Sequence, residues 1–212
     1  EIGPSLVGSE MCIRDRIKNK LILYLSIKVL TVFICHADRV ALWPDGKIPD
    51  FQSHQIAATN KVVKAKNFNR TEHIMPHLDW FDPPMKKNGA CILLITGGGY
   101  NACVDGLWID RLAKIFTELG YVCVNLTYRT PRPEGLPIYQ SAWQDGQRAV
   151  RLIRRAAKDR GFDPEKIGAI GFSAGSHMTV LLGSSSLTPA YQPIDELDKL
   201  PCHINLAIPV YT

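Results

Sequence analysis

Short, strongly apolar runs alternate with helical segments over the second half of the chain. The runs are Ala90–Thr96, Tyr121–Tyr128, Ile167–Phe172 and Ile204–Tyr211. The first two runs are as short and continuous as strands that are buried on both faces of a sheet, and the other two are also predicted to be strands. Because a helix that joins two such strands makes a crossover connection, the alternation predicts an α/β fold, with a mostly parallel sheet and helices on both faces.

Apolar residues spaced by three and four predict the helices between these strands. The first helix carries Trp108, Ile109, Leu112, Ile115, Phe116 and Leu119 and stops at Gly120. The second carries Trp143, Gly146, Ala149, Val150, Ile153 and Ala157 and stops at Gly161, and a third covers Ala174 to Leu182. We interpret the arginines of the second helix as a solvated face and not as a ligand-binding patch; they are Arg148, Arg151, Arg154 and Arg155.

The pattern is weaker before Ala90. Residues 38–66 are polar with scattered Pro and Gly, which predicts an irregular surface segment. Thr71–Phe81 alternates loosely between apolar and polar residues. It predicts an edge strand or a pair of strands, because Pro76 cannot donate a ladder hydrogen bond and is disfavoured in a central strand.

Charge and composition argue against a nucleic-acid partner. The chain has 212 residues, of which 46% are hydrophobic and 21% charged, as in an ordinary globular protein. The formal net charge is +5, but residues 1–37 hold five of the 25 basic and three of the 20 acidic residues, which leaves +3 for the remainder. Lys and Arg form no cluster with interleaved aromatic residues, so the sequence lacks the footprint of a polyanion-binding surface.

The first 37 residues are interpreted as lying outside the folded domain, which we place at 38–212. Leu6–Asp15 resembles the translation of a transposase adapter used in sequencing libraries, so we interpret residues 1–16 as read-through; contiguous genomic DNA across the junction would overturn this. A natural polar leader is the alternative. Residues 17–37 join a charged start to the apolar run Leu21–Ile34, which is typical of a signal peptide cleaved after Ala37. We therefore expect a secreted or periplasmic protein with no stable membrane span.

Four cysteines remain after Ala37, namely Cys91, Cys103, Cys123 and Cys202. Cys91 and Cys123 lie in apolar runs and are interpreted as buried free thiols, while a bridge between Cys103 and Cys202 stays open. No CxxC spacing or neighbouring His suggests a metal site. We expect neither a metal nor a cofactor.

A G-x-S-x-G motif, Gly171-Phe-Ser173-Ala-Gly175, falls between the third predicted strand and the helix after it. A tight turn at this place holds a serine hydroxyl out over the carboxyl edge of the sheet, and the two glycines remove side chains that would collide with strand and helix. The Ala174 N–H at the start of the helix points toward an anion. The alternative, a purely structural turn, is disfavoured by the strand and helix that flank the motif. The motif predicts that Ser173 is a catalytic nucleophile.

A second glycine-rich segment, Gly97-Gly98-Gly99-Tyr100, closes the first buried strand. Glycines there let the backbone approach a substrate, and their N–H groups suit the oxyanion of a tetrahedral acyl intermediate. A phosphate-binding loop is the alternative, but neither a lysine nor a G-x-G-x-x-G pattern follows. Both glycine motifs fall at carboxyl ends of strands, where open α/β sheets keep their sites.

Together with Leu126–Arg129 and Asp145–Arg151, the two glycine motifs resemble the α/β-hydrolase superfamily, and within it secreted esterases similar to acetyl xylan and feruloyl esterases. The resemblance covers 71–212. It implies a three-layer α/β-hydrolase fold, with Ser173 as nucleophile and the amides of Gly98, Gly99 and Ala174 as the oxyanion hole. Related lipases often have histidine before the glycines; Thr96 stands there in this chain.

The same resemblance implies that the catalytic acid and then the histidine follow later strands, beyond Thr212. We therefore expect the sheet to lack its last strands, and the chain to be weakly stable or unfolded alone with negligible turnover. We do not assign triad roles to His177, His203, Asp195, Glu196 or Asp198: His177 is expected to pack or contact solvent, and the three acids are interpreted as solvated charges.

The function predicted for the full-length protein is a serine carboxylic-ester hydrolase that acts on acylated carbohydrate, with a small-molecule or polysaccharide ester as its substrate. Two alternatives stay open. One is a serine peptidase or amidase of the same fold, and the other is a non-catalytic binding protein that has lost its triad.

Overall fold

A computed structural model describes residues 38–51, 62–65, 68–71, 75–105 and 107–211. Its strands are β1 (Asp38–Ala41), β2 (Val62–Ala65), β3 (Phe68–Thr71), β4 (His77–Phe81), β5 (Cys91–Ile95), β6 (Cys103–Asp105), β7 (Val122–Thr127), β8 (Ile167–Phe172) and β9 (Leu206–Val210). Its helices are α1 (Leu107–Glu118), α2 (Gln140–Arg160) and α3 (Ala174–Ser184), with a 3-10 turn at Glu196–Lys199. The four predicted strands correspond to β5, β7, β8 and β9; β9 lies at the edge of the main sheet, and its residues are exposed or half-buried.

Six strands form the main sheet in the order β1-β4-β7-β5-β8-β9. The four strands from β7 to β9 are parallel; β4 pairs with β7 in antiparallel orientation, and β1 pairs antiparallel with β4 and so runs in the same direction as β7. Ile95 at the end of β5 pairs with Gly171 near the end of β8, so these two strands finish side by side. Strands β2, β3 and β6 form a separate antiparallel sheet.

Helices cover both faces of the main sheet. Leu93 and Ile95 of β5 belong to the core that includes Ile153 of α2 and Met178 of α3. Leu94, the residue between them, belongs to a second core with Ala113 of α1. Because successive side chains of a strand point to opposite faces, the two cores are the two faces of the sheet. This three-layer arrangement confirms the predicted fold class.

The prediction of an irregular surface segment over 38–66 is wrong where the structure describes it. Asp38–Ala41 forms a strand of the main sheet, and Val62–Ala65 pairs with β3. Leu42 and Trp43 are buried in the main core, and the Trp43 Nε1–H donates to Asp145 Oδ1 at 2.8 Å. The segment folds because a few of its apolar residues contact residues that are distant in the sequence. Its mostly polar composition gives no sign of these contacts.

The expected edge position of Thr71–Phe81 is also wrong. Its second half is β4, which lies between β1 and β7 and pairs with both. Pro76 stands just before the first strand residue and so removes no donor from the ladder. Its carbonyl instead accepts from the Leu42 N–H at 3.1 Å.

A buried ion pair joins α2 to the loop after β7. The Arg129 and Asp145 side chains are both fully buried, and Arg129 Nε donates to Asp145 Oδ1 at 2.9 Å. Three further guanidinium hydrogens go to the carbonyls of Pro49 and Ser141 and to the Gln144 side chain. Each guanidinium nitrogen and each carboxylate oxygen makes at least one hydrogen bond, which is the condition under which a buried charge is tolerated.

The interpretation of the α2 arginines as a solvated face holds only for Arg155, which is exposed. Arg148 and Arg154 are buried, and Arg151 is half-buried. Arg148 donates to Asp195 and Asp198 at 2.7 and 3.0 Å. The expected solvated character of the acidic residues is correspondingly wrong for Asp198, which is buried. These bonds fix the loop between α3 and β9 on helix α2.

The four described cysteines are buried and free, so no bridge joins Cys103 to Cys202. Within the described ranges, none of the helices combines the length and apolar content needed to cross a bilayer. The adapter and signal-peptide interpretations concern residues 1–37, which lie outside the described residues, and both stay predictions.

Arg148→Ala tests the buried arginine cluster against Arg155→Ala on the same helix. The first change removes the guanidinium that donates to the buried Asp198 carboxylate and is expected to lower the free energy of unfolding by about 3 kcal/mol. The second removes an exposed charge and is expected to change it by less than about 0.5 kcal/mol. Urea unfolding of the two variants measures the difference, and equal effects would contradict the assignment.

Candidate active site

Ser173 occupies a sharp turn between β8 and α3. Its backbone angles are φ 54° and ψ −119°, outside the regions that L residues ordinarily occupy. The side chain is exposed, and the Ser173 N–H donates to the Val210 carbonyl of the adjacent strand at 3.2 Å. The turn therefore presents the hydroxyl at the carboxyl edge of the sheet, as the motif predicted.

The two motif glycines are required by close backbone packing. A Cβ on Gly171 would overlap the carbonyl oxygen of Gly175 and the hydroxyl of Thr179. A Cβ on Gly175 would overlap the carbonyl oxygens of Ile95 and Thr96. Strand β8, helix α3 and the end of β5 thus touch through their backbones, which only glycine permits.

The glycine loop after β5 lies directly against this turn. A Cβ on Gly97 would come within 2.9 Å of both the Ser173 Cβ and the Phe172 carbonyl oxygen. Gly98 has φ 140° and faces the Ala102 carbonyl so closely that a side chain there would overlap it. The loop is closed by hydrogen bonds from the Asn101 and Ala102 N–H groups to the Gly98 carbonyl. The two predicted motifs are therefore neighbours in the fold.

Backbone N–H groups of both segments at the site remain available to a ligand. Among the residues that the structure describes, the N–H groups of Gly98, Gly99 and Ala174 donate to no backbone carbonyl. Ala174 is the first residue of α3, where the helix end carries partial positive charge. These are the amides expected to form the oxyanion hole.

Tyr100, which the sequence analysis assigned no role, links the glycine loop to α3. It has φ 61°, and its hydroxyl donates to the Ala174 carbonyl at 2.8 Å and lies 2.8 Å from His177 Nδ1. Burial raises the pKa of this phenol, so it stays a neutral donor at physiological pH. An aromatic residue directly after three glycines is a sequence signal that could have directed attention to it.

The histidines and acids that the sequence analysis left without triad roles lie in other surroundings. The His177 ring packs edge-on against Tyr139, with centroids 5.2 Å apart. His203 lies before β9, at the opposite edge of the sheet from Ser173, with Nε2 3.4 Å from Glu165 Oε2. Asp195 and Asp198 bind Arg148, and Glu196 pairs with Lys199. None of the five hydrogen-bonds to the Ser173 side chain across 75–105 and 107–211.

An exposed serine on a strand–turn–helix beside a glycine loop, in a mostly parallel sheet between helix layers, defines the α/β-hydrolase class. Within that class, the BD-FAE family model matches residues 78–205, more than half of the chain, and the chain belongs to the BD-FAE family. The resemblance to the α/β-hydrolase superfamily is thereby confirmed.

Relatives and solved structures agree with the family. The chain is 36% identical over 88 residues to Endo-1,4-beta-xylanase B of Butyrivibrio fibrisolvens, covering 42% of this chain and 14% of that protein. It is 23% identical over 128 residues to Acetylxylan esterase of Xylanibacter ruminicola, covering 57% of this chain and 26% of that protein. An acetyl ester-xyloside bifunctional hydrolase from Caldicellulosiruptor lactoaceticus shares the fold, with a TM-score of 0.57, 23% identity and coverage of 82% of this chain. The match covers 56% of that solved chain, and smaller shares of the two curated relatives.

Gly175→Ala tests the backbone contact that shapes the turn. The added methyl group would overlap two carbonyl oxygens of the β5 end, so we expect the free energy of unfolding to fall by about 3 kcal/mol or more. Gly183→Ala, in the same helix, is the matched control: its new Cβ would meet the Ala207 Cβ at 3.4 Å, an ordinary contact. Helix propensity favours that change by up to about 1 kcal/mol. Urea unfolding of both variants provides the comparison, and an unchanged Gly175→Ala would contradict the packing described.

Proposed function

We propose that this chain carries the nucleophile and oxyanion hole of a serine carboxylic-ester hydrolase. The observation that supports it best is the exposed Ser173 hydroxyl beside three uncommitted amides, those of Gly98, Gly99 and Ala174. Acyl transfer requires a nucleophile that lies next to preorganised N–H donors. The family membership of the chain supports the same reaction class.

In the proposed reaction Ser173 Oγ attacks the ester carbonyl carbon while a histidine removes its proton. The carbonyl oxygen becomes an oxyanion held by the three amides, each of which can lower the barrier by about 3–4 kcal/mol. The alcohol leaves with a proton from the histidine, and water then releases the acid from the acyl-enzyme. We propose that the histidine and its acid partner come from outside the residues described.

Acylated carbohydrate is the substrate class we propose. The support comes from names: one relative is called a xylanase and another an acetylxylan esterase, and the solved structure is an acetyl ester-xyloside hydrolase. Export from the cell, which would suit such a substrate, rests on residues 17–37 alone and stays a prediction.

Ser173→Cys allows the site to be tested without a histidine. A thiolate forms near neutral pH without a general base. Its sulfur attacks p-nitrophenyl acetate, the C–O bond breaks, p-nitrophenolate leaves with the electron pair, and an acetyl thioester remains. We expect the introduced thiol to be acetylated at least about ten-fold faster than glutathione, because only the protein supplies amide donors to the oxyanion. Absorbance follows the release, and peptide mass spectrometry locates the acetyl group.

Alkylation by iodoacetamide is the matched control, because iodide is displaced from a saturated carbon and no oxyanion forms. The ratio of acetylation to alkylation rates therefore removes differences in thiol pKa and access. A ratio equal to that of glutathione would contradict the proposed oxyanion hole and with it the esterase function.

The substrate class has its own test in the same variant. Acetylated xylo-oligosaccharides should slow alkylation of the introduced thiol, while the same oligosaccharides after chemical deacetylation should not, because the ester carbonyl must reach the amides. Rates are measured by mass spectrometry over a range of oligosaccharide concentrations. Equal protection by both preparations, or by neither, would contradict acylated carbohydrate as the substrate and leave the esterase chemistry standing.

A further inference from the structure

Tyr100 is the residue through which the two parts of the site are connected. The amides of Gly98 and Gly99 belong to the loop after β5, whereas the Ala174 amide belongs to α3. The two segments are separated by more than seventy residues along the chain, and the Tyr100 hydroxyl reaches across to the Ala174 carbonyl. The bond thus runs between the same two segments that supply the donors.

The hydrogen bonds of the hydroxyl determine its direction. A phenol has a single proton, which Tyr100 donates to the Ala174 carbonyl. His177 Nδ1 lies 2.8 Å from the same oxygen and can donate to it in the tautomer that carries the proton on Nδ1. In that tautomer His177 offers the hydroxyl proton no acceptor, so the proton is directed toward the Ala174 carbonyl.

The Tyr100 ring is held from its other side. It is 5% exposed, and the Tyr128 ring packs edge-on against it with centroids 5.9 Å apart. The Tyr128 hydroxyl in turn donates to the Thr96 carbonyl at the end of β5, at 3.1 Å. A buried donor held in this way cannot exchange its partner for water without cost.

We propose that Tyr100 is a positioning residue that sets the separation between the loop amides and the Ala174 amide of the oxyanion hole. The inference rests on the proposed function, since the separation of these amides matters only when an oxyanion forms between them. Gly98, Gly99 and Tyr100 all have positive φ. Because glycine adopts many backbone conformations, the loop would sample others without this hydrogen bond, and the amides would lose their fixed positions.

Tyr100→Phe in the Ser173→Cys background tests the inference. The ring and its packing are kept, and only the hydroxyl is lost. We expect the acetylation rate with p-nitrophenyl acetate to fall about ten-fold, since misplacing oxyanion donors weakens them in the transition state. The iodoacetamide rate should stay within about two-fold, because that reaction makes no oxyanion. Loss of structure alone would alter both rates or neither, so the ratio separates positioning from folding.

Tyr139→Phe is the matched control, because it removes a hydroxyl from another ring that packs against His177 and keeps the bond between Tyr100 and Ala174. It should leave the ratio unchanged. His177→Ala is a second variant that keeps Tyr100. Because His177 is exposed, its removal should leave the packing of the hydrophobic core unchanged. Loss of the proton donor to the phenol should lower the ratio about three-fold.

The outcomes distinguish this inference from the proposed function. If the Ser173→Cys parent is acetylated no faster than glutathione, after correction for alkylation, the proposed function fails and the inference fails with it. If the parent is fast and Tyr100→Phe keeps its ratio, the function stands and the positioning role is overturned. Equal losses in Tyr100→Phe and Tyr139→Phe would also overturn it.

Discussion

The backbones of β5, β8 and α3 come into direct contact where the two strands end, and the candidate site depends on that contact. At Gly97, Gly171 and Gly175 a side chain would collide with neighbouring main-chain atoms. Close approach forces Ser173 into a conformation with positive φ and thereby turns its hydroxyl outward. Strain of this kind persists only where surrounding structure over-determines it, and here the parallel pairing of β5 with β8 does so.

The topology of the sheet determines which loops, and therefore which functional groups, lie together at the candidate site. Parallel strands bring their carboxyl ends to one edge, so the loops after β5, β7 and β8 meet there although they are distant in sequence. The glycine loop and the Ser173 turn occupy the same edge, and Tyr100 joins them by a hydrogen bond to Ala174. His203, at the amino end of β9, is excluded from the site by the same geometry.

Buried polar contacts fix the positions of helix α2 and of the loops that pack against it. Arg129 and Asp145 fix α2 to the loop after β7, and Trp43 adds the segment after β1 to the same carboxylate. Arg148 fixes the loop before β9 through Asp198. Such pairs add little net stability relative to apolar residues of equal volume, but removing one partner leaves an uncompensated charge. They therefore specify which segments pack together more than they drive folding.

The sequence by itself determined the four strands from Cys91 onward that β5, β7, β8 and β9 form, the helix ends at Gly120 and Gly161, and the placing of both glycine motifs at strand ends. These are local signals, because apolar runs and glycine conformations act within a few residues. Only the tertiary structure decided that Trp43 is buried, since its partner Asp145 lies 102 residues away. For the same reason Arg148 and Asp198 were expected in solvent: a charged residue is exposed by default, and only a distant partner of opposite charge makes burial tolerable.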